Sequence, residues 1–387
     1  MHKLFDKKQL PLLIISGLFC FVLSCTPQLR KSAAELDTPE HHVYSGLRCL
    51  TEKNYDQARQ EFELALQLAP RYSQAHAGIA LAKAYQGDHQ KAALAMQDAW
   101  KYAKTKEEKI FVRVGRIRLL ALGRGDKDWL DQAREEFDEA IKLDAKQAAS
   151  YYYMGAAYKT ALDFDQAGRM FKQVLDINNE FVKEADAEWN MVQKIQRAMP
   201  GTITGKKIAL LESISRADAA ALFMEELRID NLYKKRTLKT FDTSYQDPDK
   251  SQNSTVAPSM PGDITDHPLR TDIQGIIGIG VRGLETYPDG RYHPDAFVNR
   301  AAYAMMVEDI LIKITGDNAL ATKFFGQVSP FPDLRSDQPY FSAVMTLTTR
   351  GIMEVKDITS GEFAPLGPVS GVDALLIIRK FKEELKF

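Results

Sequence analysis

An alanine followed four residues on by a bulky side chain, and three further by a small or β-branched one, recurs four times in the first half of this 387-residue chain. The sets are Ala58–Phe62–Ala65, Ala92–Met96–Ala99, Ala133–Phe137–Ala140 and Ala167–Phe171–Val174, at intervals of 34, 41 and 34 residues. Steps of four and three put each set on one face of a helix. The alanine lets a second helix come close, and the bulky residue one turn later fills the gap between the two. A unit of this length is a helix pair, which buries its apolar face only by stacking on its neighbours.

This pattern resembles the tetratricopeptide repeat (TPR) family over residues 39–180. The fourth unit carries Tyr151, Met154, Gly155, Tyr158, Ala167 and Phe171, and the first has Gly46 and a Pro70 that ends its second helix. The second keeps Gly87 but has Ala80 at the close-approach position. The longer interval assigns the third unit about seven extra residues, expected in the Gly123-to-Trp129 turn. The resemblance implies a protein partner bound along a groove faced by Leu47, Leu50, Tyr85, Tyr152 and Lys159. Packing or solvation of the same side chains is the alternative.

A second repeat lies downstream. Gly283 to Met306 reads GLETYPDGRYHPDAFVNRAAYAMM. Tyr287-Pro-Asp-Gly290 is a turn, with Pro setting φ and Gly290 tolerating a positive one. Pro294 and Asp295 mark another turn, and Asn299 is an N-cap for the helix that follows. Phe363, Pro365, Val369 and Ser370 match Tyr292, Pro294, Val298 and Asn299 at a constant offset of 71. Upstream, Ile214-Ser215-Arg216-Ala217 matches Val298-Asn299-Arg300-Ala301. Ser215 with Asp218, and Ser370 with Asp373, fit an S-x-x-acid capping box.

These three units resemble the S-layer homology (SLH) family, in which three such motifs form a helical pseudo-trimer that holds cell-wall polymer. The expected units are 181–240, 263–315 and 328–387, with a polar linker at 241–262. Helices are expected around Ile273, Ile276 and Ile277, and from Pro339 to Arg350 with Tyr340, Val344 and Leu347 inward. The helix Glu180 to Ala198 is expected to serve both the array and this module. Arg216 and Arg300 follow their N-caps directly, where a cation opposes the helix dipole and gains most by holding an anion. An ion pair with Asp289 or Asp333 of a neighbouring unit is the other reading. The resemblance implies wall binding through Arg216, Arg300, Asp289, Gly290, Asp333 and Tyr340. Gly371 stands where the third arginine is expected, which leaves the third groove without its cation.

The fold class expected is therefore all-α: a TPR helical solenoid followed by a mostly helical SLH-like pseudo-trimeric module. The N-terminus adds an address. Lys3, Lys7 and Lys8 precede the mostly apolar run Leu10 to Leu23, too short to span a bilayer confidently. The run ends Val22-Leu23-Ser24-Cys25, which resembles a bacterial lipobox, so residues 1–24 read as a lipoprotein signal peptide. Cys25 is then the lipidated residue, anchoring the chain without spanning the membrane, and residues 25–38 form a tether. Thr26 after the cysteine implies an outer-membrane location facing the periplasm. Cys20 falls in the removed segment and Cys49 on an apolar helix face, so no disulfide framework is available.

A net charge of −1 argues against a nucleic-acid partner, and 45% hydrophobic with 27% charged residues is ordinary for globular domains. No zinc-protease, phosphate-loop or nucleophile-elbow motif is present. His41-His42 reads as a surface pair. No catalytic residue, metal or cofactor is expected. The function expected is a tether between membrane lipid, cell-wall polysaccharide or peptidoglycan, and a protein partner. A role as assembly factor for outer-membrane protein, secretin or pilus complexes, with the SLH-like part as scaffold, is the alternative.

Overall fold

The computed structural model describes residues 30–236 and 260–386, with the side chains of 234–236 left undescribed. The leader, Cys25, the first residues of the tether up to 29 and most of the 241–262 linker lie outside the described residues. Among those described, the structure is all-α, with two isolated β-bridges and no strand. No helix among them is long and apolar enough to cross a membrane. The chain forms two compact units that divide at Gly115 and Arg116.

In the first unit, α1 (Pro39–Thr51) pairs with α2 (Tyr55–Leu68), and α3 (Ser73–Tyr85) with α4 (His89–Tyr102). α1 opens on Pro39 behind Thr38, whose hydroxyl accepts from the His41 N–H. The core is built from Val43, Leu50, Ala58, Phe62, Ala65 and Leu81. Phe62 lies so close to two backbones that a Cβ at Gly46 or Gly78 would fall 2.5 or 2.4 Å from its ring. The wide residue of the repeat thus needs a missing side chain on both sides. Gly78, unlike Gly46, escaped the sequence reading.

His42 is not a surface residue. Its ring lies between Glu61 (Nδ1 to Oε2, 2.8 Å) and Asp37 (Nε2 to Oδ1, 2.9 Å), with only 13% of the side chain exposed. Arg30 pairs with the same Asp37, and the Arg30 N–H donates to the Gln67 carbonyl. The segment before α1 is therefore pinned to the first helix pair through this imidazole. Burial lowers the His42 pKa, but the hydrogen bonds its ring makes to Glu61 and Asp37 outweigh it and the net shift is upward. The folded state holds this proton more tightly, so the bridge contributes in full below the unfolded value of ~6.5 and is lost as pH rises through the folded value. NMR titration of the His42 ring should show a midpoint above ~6.5 that Glu61→Gln lowers. A midpoint at or below that value in the native chain would refute the bridge.

α5 (Lys106–Gly123) runs across the division between the units. It has 18 residues where α1, α3 and α7 (Ala148–Thr160) have 13. Most of the extra length of the third repeat is thus an extended helix, and only the remainder lies in the turn to α6 (Trp129–Leu143). In the second unit α7 pairs with α8 (Phe164–Ile177). α9 (Val182–Ala198) then packs on α8 along one flank and on the C-terminal helix α16 (Gly371–Glu384) along another. One continuous core runs from Ile117 through Phe171, Val192 and Ile195 to Phe223, Tyr303 and Phe381. The compact units accordingly do not coincide with the stretches 39–180 and 181–387, because α9 is shared.

The remaining helices are α10 (Ile203–Ile208), α11 (Arg216–Ala221), α12 (Ile229–Arg236), α13 (Arg270–Ile279), α14 (Arg300–Thr315) and α15 (Phe341–Thr349). Ile273, Ile276, Val344 and Leu347 are buried on the faces expected of them, while Tyr340 is half-buried at the N-cap of α15. The three residues matched by sequence, Ile214, Val298 and Val369, meet in a closed triangle. The Ile214 N–H donates to the Val369 carbonyl (2.9 Å), Val369 to Val298 (3.4 Å) and Val298 to Ile214 (3.0 Å). This triangle is the pseudo-threefold centre of the module.

Candidate functional site: a basic cleft beside Arg300

Each helix that leaves the triangle begins against the next unit. At α11 the Arg216 and Ala217 N–H groups donate to the Ala296 and Pro294 carbonyls (2.9 and 3.0 Å). At α14, Arg300 and Ala301 donate to Gly367 and Pro365 (3.0 and 2.9 Å). At α16, Gly371 donates to Leu211 (2.9 Å), which closes the ring onto the first of the three downstream repeats. The third N–H is taken by the cap side chain: Ser215 at Asp218, Asn299 at Ala302 and Ser370 at Asp373. The first three N–H groups of α11 and α14, and two of those of α16, are thus taken by protein acceptors.

Arg216 is 6% exposed and bridges units. Its Nε donates to the Tyr292 carbonyl (2.9 Å), one terminal nitrogen to Glu285 (2.8 Å) and the other to Gly283. Tyr287 and Tyr292 place rings 4.6 and 4.7 Å from its guanidinium. The five-donor fork suits several carbonyls at once, and its weak hydration suits stacking on rings. Neither Asp289 nor Asp333 is its partner. Asp289 accepts from the Arg291 N–H (2.9 Å) and pairs with His293 on the exposed turn. Asp333 accepts from the Phe363 and Ala364 N–H groups (2.9 and 2.6 Å) and so fixes its own unit's loop. Gly290, at φ +77°, shapes the Tyr287 turn. Arg216, Asp289 and Asp333 thus each have partners within the protein, while Gly290 lies in a turn and Tyr340 at the start of α15.

Arg300 differs. It also is buried, at 5%, and donates to the Phe363 and Glu354 carbonyls (2.7 and 2.6 Å), with the Phe363 ring 4.6 Å away. That is two carbonyls where Arg216 has three. The position of Tyr287 is held in the third unit by Ile358, which is 88% exposed. Among the described residues no second ring covers this guanidinium, and a cleft of about 580 Å³ opens beside it.

Four stretches far apart in sequence line the cleft: α9, the start of α14, the loop before Phe363, and α16. Among the described residues they bring six cations (Lys194, Arg197, Arg300, Lys356, Arg379, Lys380) to three carboxylates (Glu354, Asp373, Glu383). Lys194 donates to Asp373, whose other oxygen lies 3.8 Å from Lys356. Burial raises the Asp373 pKa, but the bonds from Lys194 and Ser370 and the charge of Lys356 outweigh it and keep the carboxyl below its ordinary value. Burial lowers the basicity of Arg300, opposed by the charges of Asp373 and Asp333. A buried cation short of counter-charge, at the floor of a cationic cleft, gains from an incoming anion.

The sequence reading named Arg300 but missed its neighbours. Arg379-Lys380 on the last helix was the only local signal, and nothing local joins it to Lys194 or Lys356. On the groove side, Leu47 packs on the first core and Tyr85 stacks on Tyr55 (5.1 Å, near parallel). In the second unit Tyr152 stacks on Phe181 at 4.9 Å, and Lys159 pairs with Glu188 on α9. Burial, with Glu188 adding, pushes the Tyr152 phenol up to about 12. These side chains already have partners within their own units.

The S-layer homology domain, as a family profile, matches residues 330–374. That stretch contains the cleft's loop wall, from Ile352 to Ile358, and Asp373 at the start of α16. No curated protein matches the chain.

Proposed function

We propose that this chain is a non-enzymatic, lipid-anchored envelope protein that grips an anionic cell-wall polymer in the Arg300 cleft. The observation that carries this reading is the excess of cations around a half-satisfied buried arginine, on the stretch matched by the S-layer homology domain. The wall polymer, peptidoglycan or a glycan linked to it, presents carboxylate or phosphate groups. Lys356 and Lys380 reach them from the rim, and Arg300 holds one at the floor. Cys25 supplies the membrane anchor and the TPR-like helix pairs the partner surface. The protein then ties membrane, wall and partner together, at the outer membrane.

The test is co-sedimentation of the full-length chain, in mild detergent, with purified peptidoglycan sacculi. The Lys356→Glu/Lys380→Glu variant changes two rim residues and touches no core. Its expected loss of affinity is about tenfold or more, corresponding to ~1.4 kcal/mol, with unchanged helicity. Equal sedimentation of the two proteins would remove the cleft from wall binding.

A second reading rests on the sealed helix starts and the fully engaged Arg216. They make the module a rigid scaffold whatever it binds, which suits an assembly factor for envelope complexes. Failure of both proteins to sediment would favour it.

A further inference from the structure

α9 has two decorated flanks. Lys194 and Arg197 face the cleft with α16, whereas Trp189, Gln193 and Gln196 face α8 and line a smaller depression of about 340 Å³. The spacing of four and three places these last three on one stripe of the helix. Opposite them α8 supplies Asp165, Gly168, Arg169 and Lys172. Gly168 is buried, and a Cβ there would fall 3.3 Å from Val192, so its lack of a side chain lets the two helices approach closely.

The polar groups are ordered. Gln193 donates to Gln196 (2.9 Å), and Gln196 donates to Asp165 (2.7 Å), so two planar amides are locked in a ladder. Trp189 stands half-buried at the ladder's end, its body against the core. Arg169 and Lys172 are exposed, and neither has an ion-pair or hydrogen-bond partner among the described residues. An indole beside oriented amides suits a flat ligand with an apolar face and a rim of hydroxyl or amide groups. Two unpartnered cations at the edge add selectivity for a carboxylate or another anionic substituent.

We infer that the α8–α9 depression is a second saccharide subsite, taking a single sugar ring that carries an acidic substituent. The choice of ligand rests on the wall-polymer reading. With the two sites on adjacent flanks of one helix, a glycan held at Arg300 has a second hold on the same rigid element, and two weak sites add by effective concentration rather than by new contacts at either.

The probe is the N-acetylglucosaminyl–N-acetylmuramic acid disaccharide, whose lactyl group is a carboxylate, beside neutral chitobiose. The full-length chain, in mild detergent, is labelled with 5-fluorotryptophan; its three tryptophans give three ¹⁹F resonances, and Trp189→Phe assigns one. The acidic disaccharide is expected to move the Trp189 resonance and leave the other two in place. Arg169→Glu/Lys172→Glu, on exposed side chains, is expected to weaken that shift about tenfold. Lys356→Glu/Lys380→Glu is expected to leave it unchanged. A Trp189 resonance unmoved at about 10 mM disaccharide, or an equal response to chitobiose, or no effect of the Arg169/Lys172 reversal, overturns the inference. Equal sedimentation of native and Lys356→Glu/Lys380→Glu proteins with sacculi, with the Trp189 shift intact, would instead overturn the cleft alone.

Discussion

Gly371→Ala is expected to destabilise the second compact unit by about 3 kcal/mol or more, and Gly371→Arg, which restores the repeat's arginine, by at least as much. A Cβ at this position would lie 1.7 Å from the Ile208 carbonyl oxygen and 2.5 Å from its carbon, both backbone. Neither atom can yield as a side chain would, because Ile208 ends α10 and Leu211 just beyond accepts the Gly371 N–H. The helix start must move, and the ring of three units opens at the contact where the third meets the first. Thermal unfolding measures the effect; about 3 kcal/mol corresponds to a fall of roughly 6–12 °C for a unit of this size. A melting temperature within about 2 °C of the native value would show that the contact yields freely.

Arg216→Ala carries the other large effect. It leaves three carbonyls, of Gly283, Glu285 and Tyr292, without their donor and removes a cation from between two rings. Each buried acceptor left unsatisfied costs about 1–3 kcal/mol, so a total of roughly 3–5 kcal/mol is expected in urea unfolding. Arg216→Lys should recover only part, since an ammonium lacks the planar fork that spans the three carbonyls. Arg300→Ala, with two carbonyls at stake, should cost less. If lysine restored full stability, the charge and not the fork would be what Arg216 supplies.

Much of this architecture is legible in the sequence, because periodic features report periodic structure. The 34-residue spacing gives helix pairs, and the offset of 71 together with the upstream Ile214-Ser215-Arg216-Ala217 match gives equivalent residues, down to the three that share one triangle. Ser215 with Asp218 forms the full reciprocal box, since both are local. What stayed hidden depends on neighbours distant along the chain. Gly371 reads as a lost arginine until Ile208 is seen against it. Arg216 and Arg300 look alike until Tyr287 is compared with Ile358, 46% and 88% exposed. His42 looked like a surface residue because its two carboxylates lie five and nineteen positions away. The cleft itself is the extreme case, since Lys194 and Asp373 are 179 residues apart.

The closed triangle also sets an order of events during synthesis. Ile214 emerges early and finds its hydrogen-bond acceptor only when Val369 has been made. Until then the core that α9 shares with α16 lacks one wall, and Phe223 and Ile195 have no complete surface to bury against. Contacts this distant fold late and leave apolar surface open to other chains meanwhile. A chain stopped before α16 would therefore keep no half-module in reserve; it would present a nascent, sticky surface, the kind a chaperone or protease removes.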